Sequence, residues 1–192
     1  MVKGFAHMPA ATAVAFPSGR GPRLGARTTG FTLIELMVTV AVAAVLLGVG
    51  LPSFREALQN QRVKTAASDM FLSLILARSE AIKRSANIDL ARHSTDWVEG
   101  WDVRIASDST VLRQNDALKN LTIACNTDAD TAAETCPSSV TFNRSGRPGA
   151  FIEFWFYQPD SEAVTMRCVT MSLSGRPSIV MDVDHDASNG CK

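Results

Sequence analysis

Four cysteines carry the clearest covalent chemistry of this sequence. They are Cys125, Cys136, Cys168 and Cys191, and none forms a C-x-x-C pair, the spacing typical of zinc sites and thioredoxin-type motifs. An even number of cysteines suits disulfides in an oxidising compartment, and four cysteines allow three pairings. We favour Cys125–Cys136, which closes a polar loop without a large apolar anchor, and Cys168–Cys191, which ties the C-terminal segment to a strand.

Metal-binding and catalytic motifs are weak elsewhere in the chain. Residues 182–186 have the D-x-D-x-D pattern that begins an EF-hand loop, but Ala187 stands at the glycine position and no glutamate closes the loop. His93 and His185 lack a second histidine or cysteine at ligand spacing, and the sequence contains no G-x-S-x-G, P-loop or H-E-x-x-H motif. We therefore predict no metal, no cofactor and no enzymatic activity.

An S-G-R-P motif at residues 174–177 places Arg176 on a predicted turn, where it could contact phosphate. Three further arginines could join it if the fold brings them near: Arg144, Arg147 and Arg167. Residues 85–192 nevertheless carry nine basic and fifteen acidic side chains, a net charge of −6. Any site for a polyanion would therefore have to be a local patch, and the aspartates that follow Arg176 repel phosphate.

Glu35 is the one charged residue in a long apolar run. The run from Phe31 to Leu51 would span about 31 Å as a helix, which matches the roughly 30 Å of a bilayer core. A carboxylate costs roughly 2.5–3.5 kcal/mol at the centre of a bilayer and less near its interface. The position of Glu35 therefore calls for a function.

The basic residues before this run predict its orientation. Residues 1–30 contain Lys3, Arg20, Arg23 and Arg27 and no acid, and their lack of periodicity is typical of a processing segment. The positive-inside rule then places the N-terminus in the cytoplasm and the residues after about 52 outside. No small-residue cleavage site follows the apolar run, so we expect the run to be retained.

The elements beyond Pro52 change from helix to strand near residue 85. Apolar residues first recur at spacings of three and four, which predicts an amphipathic helix to about Arg84 with any kink at Pro52: Phe54, Leu58, Met70, Phe71, Leu74, Ile75, Ala81 and Ile82. Short strands separated by turn residues follow: Ile88–Arg92, Gly100–Ile105, Val111–Gln114, Leu121–Ala124, Val140–Asn143, Phe151–Tyr157, Met166–Leu173 and Ser178–Val183. A β-sheet packed on the amphipathic helix would bury the apolar face of each.

The N-terminal junction resembles that of type IV pilins and pseudopilins. Gly30 precedes Phe31, Thr32 and Leu33 follow, and an uncharged run extends from Glu35 to Pro52. The remainder resembles the GspH/FimT branch of that superfamily in four stretches: L-I-L-A-R-S-E-A-I-K-R-S-A-N-I at 74–88, W-x-x-G-W at 97–101, V-T-F-N-x-x-G at 140–146 and S-G-R at 174–176.

The resemblance implies an α+β, type IV pilin-like fold with a long N-terminal helix packed on an antiparallel β domain. Residues 1–30 would be a class III leader, 31–52 the membrane and assembly half of the helix, 53–84 its amphipathic half, and 85–192 a periplasmic β domain. A prepilin peptidase would cut between Gly30 and Phe31 and N-methylate Phe31. Glycine at the cut would let the protease approach the backbone closely.

The resemblance also implies a function and a location. The chain would enter the inner membrane once and then join or prime a filament of other pilins or pseudopilins, for type II protein secretion or type IV pilus biogenesis. Glu35 would meet the charged N-terminus of a neighbouring subunit, and one face of Phe151–Tyr157 would contact a neighbour. The alternative is a DNA-binding minor pilin with a G-R-x-R motif, of which Gly175 and Arg176 match while Ser178 replaces the second arginine.

Overall fold

The computed structural model describes residues 30–127, 136–161, 163–184 and 190–191. The predicted leader up to residue 29 and the end of the acidic segment, with His185 and Ala187, therefore lie outside the described residues. The chain divides into two compact units, Met1–Val42 and Ala43–Lys192.

A single helix, α1, covers Leu33–Arg84. It begins where Thr32 accepts a hydrogen bond from the Glu35 backbone N–H (3.2 Å), the N-cap arrangement that satisfies a free donor of the first turn. It continues through Pro52 and ends at Arg84, as the spacing of apolar residues predicts. The residue after it, Ser85, has a positive φ of 50°, which stops the right-handed helix.

The core-facing stripe of α1 differs from the predicted one. Its buried residues recur at spacings of three and four: Val63, Ala66, Ala67, Met70, Leu74, Ala77 and Ala81. Met70, Leu74 and Ala81 were predicted, whereas the predicted Ile75 and Ile82 are exposed. Four alanines of the stripe, Ala66, Ala67, Ala77 and Ala81, belong to one core cluster with side chains of the β domain.

Eight strands follow the helix in positions close to those predicted. Their bounds are β1 Ile88–Arg92, β2 Trp101–Ile105, β3 Val111–Asn115, β4 Thr122–Asn126, β5 Ser139–Phe142, β6 Ile152–Tyr157, β7 Arg167–Met171 and β8 Pro177–Met181. A short 3-10 helix, Trp97–Glu99, precedes β2 and was not predicted.

The strands form two antiparallel sheets rather than one. The first has the order β3-β2-β1-β5 and the second β4-β6-β7-β8. The predicted antiparallel β domain is thus divided between two sheets. No local pattern specifies this division, because the partners of β4 and β5 lie far along the chain. Both sheets contribute to one core with α1, so the α+β prediction is confirmed.

Tryptophans join the elements around this core. The Trp101 indole N–H donates to the Ser73 hydroxyl on α1 (3.0 Å), and the Trp97 indole N–H donates to the Pro137 carbonyl (2.9 Å). Trp97 also packs edge-on against Phe154, with ring centroids 4.9 Å apart. The W-x-x-G-W stretch thus connects the helix, the first sheet and the second sheet.

The two disulfides follow the pairing that we favour from the sequence. Cys125 is bonded to Cys136, with Cα atoms 5.0 Å apart, and Cys168 to Cys191, with Cα atoms 5.9 Å apart. The first connects β4 of the second sheet to the segment before β5 of the first sheet. The second fastens the C-terminal segment to β7.

The C-terminal segment covers the outer face of the second sheet. Trp155 on β6 is only 1% exposed, and Gly190 lies so close to its ring that a Cβ at this glycine would be 3.0 Å from Trp155 Cζ2. The Trp155 indole N–H donates to Glu153 Oε2 (2.8 Å). Most apolar residues of Phe151–Tyr157 are therefore buried within the chain, while the contact of one face with a neighbour stays a prediction.

Candidate functional site

The predicted cleavage and assembly residues lie at the start of α1. Phe31 is 83% exposed, and a Cβ on Gly30 would meet no atom within 4 Å. Glu35 occupies the first turn of the helix, where the positive end of the helix dipole favours a carboxylate. Among the described residues, no side chain therefore crowds Gly30, and Phe31 is exposed.

The apolar half of α1 presents its side chains outward. Large apolar residues there are more than half exposed: Leu33, Ile34, Leu36, Met37, Val38, Val40, Val42, Val45, Leu46, Leu47 and Leu51. The Thr39 hydroxyl is satisfied locally, since it donates to the Leu36 carbonyl (2.9 Å). Within the described residues, α1 is the one helix long and apolar enough to cross a membrane, by length and composition.

Two glycine turns bring three of the predicted arginines to one end of the β domain. Arg144 and Arg147 flank Gly146 after β5, and Arg176 follows Gly175 after β7. Both glycines have positive φ, 72° and 77°, and a Cβ on Gly175 would overlap the Gly146 carbonyl oxygen. The turns of the two sheets therefore stack directly on each other, and the three arginine side chains are exposed.

The fourth predicted arginine lies elsewhere. Arg167 begins β7 and pairs with Met181, whereas the Gly175 turn follows Met171, which pairs with Pro177. Four residues of strand correspond to about 13 Å, so Arg167 is separated from the other three arginines. The predicted patch is thus smaller than the sequence suggested.

Arg78 on α1 is a residue that sequence analysis missed. Its guanidinium Nη1 donates to the Gly175 carbonyl, and its Cγ would lie 3.0 Å from a Cβ on Gly146. Arg78 therefore fixes the stacked turns to the helix. Arg78 is half-buried beside the core-facing stripe, and no local sequence pattern identifies its partner on a distant turn.

Charge pairing at the end of α1 involves different residues. Arg84 forms an ion pair with Glu80, and Lys83 Nζ lies 3.4 Å from Glu80 Oε1. The hydrogen bond from Arg84 is the main cause that lowers the pKa of the Glu80 carboxyl. At the β2–β3 turn, hydrogen bonds from Thr110 likewise lower the pKa of Asp108.

Metal chemistry finds no support in the described part of the chain. No group of three or more histidine, cysteine, aspartate or glutamate side chains is arranged there to hold an ion. His93 instead pairs with Asp102, with Nε2 2.7 Å from Oδ1.

Comparison with known families assigns the chain. The sequence profile described as "Type II transport protein GspH" matches residues 66–175, more than half of the chain, and the chain belongs to this family. A second profile, "Prokaryotic N-terminal methylation motif", matches residues 26–51. The pilin-type resemblance of the sequence is thereby confirmed.

Similar solved structures include two minor pilin-type proteins. The type IV minor pilin FimU of Pseudomonas aeruginosa is 21% identical, with 69% of this chain and 96% of that chain covered and a TM-score of 0.52. The minor pseudopilin EpsH of the Vibrio cholerae type 2 secretion system is 15% identical, with 62% and 97% covered and a TM-score of 0.48. Among curated proteins, no sequence matches the chain significantly.

Proposed function

We propose that this protein is a minor pilin or pseudopilin, a structural subunit that joins or primes a type IV-type filament. One observation carries the proposal: a helix that begins at Leu33, with an exposed apolar first half in which Glu35 is the one charged residue, is joined to a β domain of the GspH family. The helix would pack among the helices of other subunits, and the β domain would form the filament surface. The family relationship supports a structural role rather than an enzymatic one.

Maturation would begin with hydrolysis of the Gly30–Phe31 peptide bond by a prepilin peptidase. The exposure of Phe31 and the open space around Gly30 support this site. The match to the methylation motif supports N-methylation of the new terminus at Phe31. Residues 1–30 would be the discarded leader.

Glu35 would then act as an assembly contact. Once Phe31 is the N-terminus, its ammonium group can approach the Glu35 carboxylate of a neighbouring subunit. In apolar surroundings an unpaired charge is strongly unfavourable, so this pairing would select one register between subunits.

The location follows from the same residues. Four basic residues before the apolar run, with no acid among residues 1–30, support a cytoplasmic N-terminus in the inner membrane. The two disulfides support an oxidising periplasm for the β domain. The filament would belong to a type II secretion system or a type IV pilus.

The processing step is tested by substitution at Gly30. Gly30→Ala should be cleaved in part, and Gly30→Leu should accumulate as the full-length precursor, measured by intact mass of the membrane-extracted chain. Because a Cβ at Gly30 meets no atom of the described residues within 4 Å, a defect would indicate impaired cleavage rather than impaired folding. Normal maturation of Gly30→Leu would exclude this cut.

DNA binding is not favoured over filament assembly. Arg144, Arg147 and Arg176 could contact phosphates from adjacent turns, but Arg167 is separated from them and Ser178 replaces the second arginine of the motif. Each missing phosphate contact also weakens binding at physiological salt.

A further inference from the structure

An apolar groove lies between the outward face of α1 and the start of β8. Its volume is about 340 Å³, and its apolar lining comes from Phe71, Ile75, Ile82 and Pro177. Arg78 and Arg176 supply two cations to the same lining. The groove lies wholly within the second unit of the chain.

The outward face of α1 changes character where the groove begins. Three exposed residues of the preceding turns are polar: Gln61, Arg62 and Thr65. On the side of α1 that lines the groove, Ile75 and Ile82 are 41% and 50% exposed, and the nearby Leu72 is 47% exposed. Their clustering beside a groove is typical of a surface that another protein covers.

The edge of the second sheet extends this apolar surface. Among the described residues, β8 pairs only with β7, so its outer edge has no strand partner. Ile179 lies opposite the buried Val169 in the register and therefore points to the helix side of the sheet. It is 37% exposed and Met181 is 54% exposed, which continues the apolar wall along the strand.

The charges at the groove define what it can accept. No acidic residue is in its lining. Arg176 is exposed, and its guanidinium has no hydrogen-bond or ion-pair partner among the described residues, although its backbone carbonyl accepts from Ser172. Arg78 has one donor engaged with Gly175 out of five on a guanidinium. The groove is therefore complementary to an apolar segment that carries a carboxylate.

A second copy of this chain is a poor source of such a segment. Among the described residues beyond α1, an exposed acid beside a well-exposed apolar residue is Asp184, which follows Val183 (77% exposed). Asp184 already has an interaction within its own chain. In the proposed filament, a different subunit can supply the carboxylate instead.

We propose that this groove binds an apolar, carboxylate-bearing segment of a different pilin-type subunit. The segment lies against Ile75 and Ile82, and its carboxylate contacts Arg176 and Arg78. The inference rests on the proposed function and names the partner surface through which the β domain enters the filament.

The test is site-specific photocrosslinking of the full chain in its host, with the filament machinery present. Ser79 lies at the groove rim and is replaced by p-benzoylphenylalanine. The same probe at Leu46 reports packing of the apolar half of α1. The matched control carries the probe at Gln114, an exposed polar residue of β3. Crosslinked products are identified by mass spectrometry.

The expected product at Ser79 is a crosslink to another pilin-type subunit, in a segment with aspartate or glutamate, and none at Gln114. Arg176→Glu should lower the crosslink yield by about tenfold, whereas Arg176→Lys should largely retain the yield. Replacing the partner's carboxylate residue by arginine should restore the crosslink to the Arg176→Glu variant.

Several outcomes overturn the proposal. Crosslinks from Leu46 but not from Ser79 would exclude the groove as a binding site and leave the proposed filament function intact. If neither Leu46 nor Ser79 gave a crosslink, the proposed filament function would be excluded as well. A Ser79 crosslink to a second copy, to DNA or to a protein outside the pilin class would exclude the proposed occupant, and a yield unchanged by Arg176→Glu would exclude the charge contact.

Discussion

Glu35 is favourably placed in its own helix before any subunit approaches. Thr32 caps the first turn through the Glu35 backbone N–H, and a carboxylate in the first turn interacts with the positive end of the helix dipole by about 0.3–1 kcal/mol. These local interactions offset part of the cost of a carboxylate near the membrane. The same residue can thus support the start of the helix and a contact between subunits.

Glu35→Gln should separate these two roles. The amide keeps the size of the side chain and removes its charge, so membrane insertion and cleavage should persist. Incorporation into sheared filaments should fall at least about tenfold. The ammonium group of the neighbouring subunit would be left without its partner, and breaking a buried ion pair in this way costs about 3–5 kcal/mol. Glu56→Gln, also an exposed glutamate of α1, is the control, and an equal loss there would refute the assembly contact.

Glu80 predicts a specific dependence of stability on pH. Its pKa is lowered from the ordinary value of 4.5, mainly by Arg84, so the folded state holds the ionised form more firmly than the unfolded state does. The stabilisation is present above pH 4.5 and is lost as the pH falls through the lowered pKa. The detergent-solubilised Glu80→Gln variant should lack this loss of stability as the pH falls. An acid-unfolding profile identical to that of the unsubstituted protein would contradict the contribution of Glu80.

At the scale of elements, Ser73 connects α1 to the first sheet. Ser73→Ala leaves the buried indole N–H of Trp101 without its acceptor, which should lower the free energy of unfolding by about 1–3 kcal/mol. Ser79→Ala is the matched control, because that hydroxyl is exposed and bonds only the Leu76 carbonyl of its own helix. Urea unfolding followed by tryptophan fluorescence compares the two, and equal losses would mean that the Trp101 contact is unimportant.

The sequence predicted elements better than their arrangement. Helix and strand bounds depend on local periodicity and turn residues, and α1 and all eight strands lie close to the predicted positions. The Gly30–Glu35 junction was visible for the same reason, since it is a contiguous motif. The division into two sheets, the alanine stripe and the contact of Arg78 with Gly175 depend on residues far apart in the chain, which no local pattern encodes.

At the scale of the molecule, the Cys168–Cys191 disulfide keeps the neighbouring Gly190 packed against the Trp155 ring. Replacing both cysteines by serine should lower the free energy of unfolding by about 3 kcal/mol. The fluorescence of the native state should also shift to longer wavelength as Trp155 becomes hydrated. The Cys125→Ser, Cys136→Ser double variant should lose stability without that shift, and a native spectrum unchanged by loss of Cys168–Cys191 would contradict the covering role.

Two side-chain contacts on α1 fasten the second sheet to the helix at both ends. Asn60 accepts a hydrogen bond from the Thr165 N–H before β7 (3.0 Å), and Arg78 bonds Gly175 after β7. The two residues are separated by about 27 Å of helix, and β7 runs alongside in the same direction. Tension along α1 would therefore act on both attachments at once, in shear, rather than peel the sheet away from one end. Such a geometry suits a β domain that must stay on its helix while the helix is pulled.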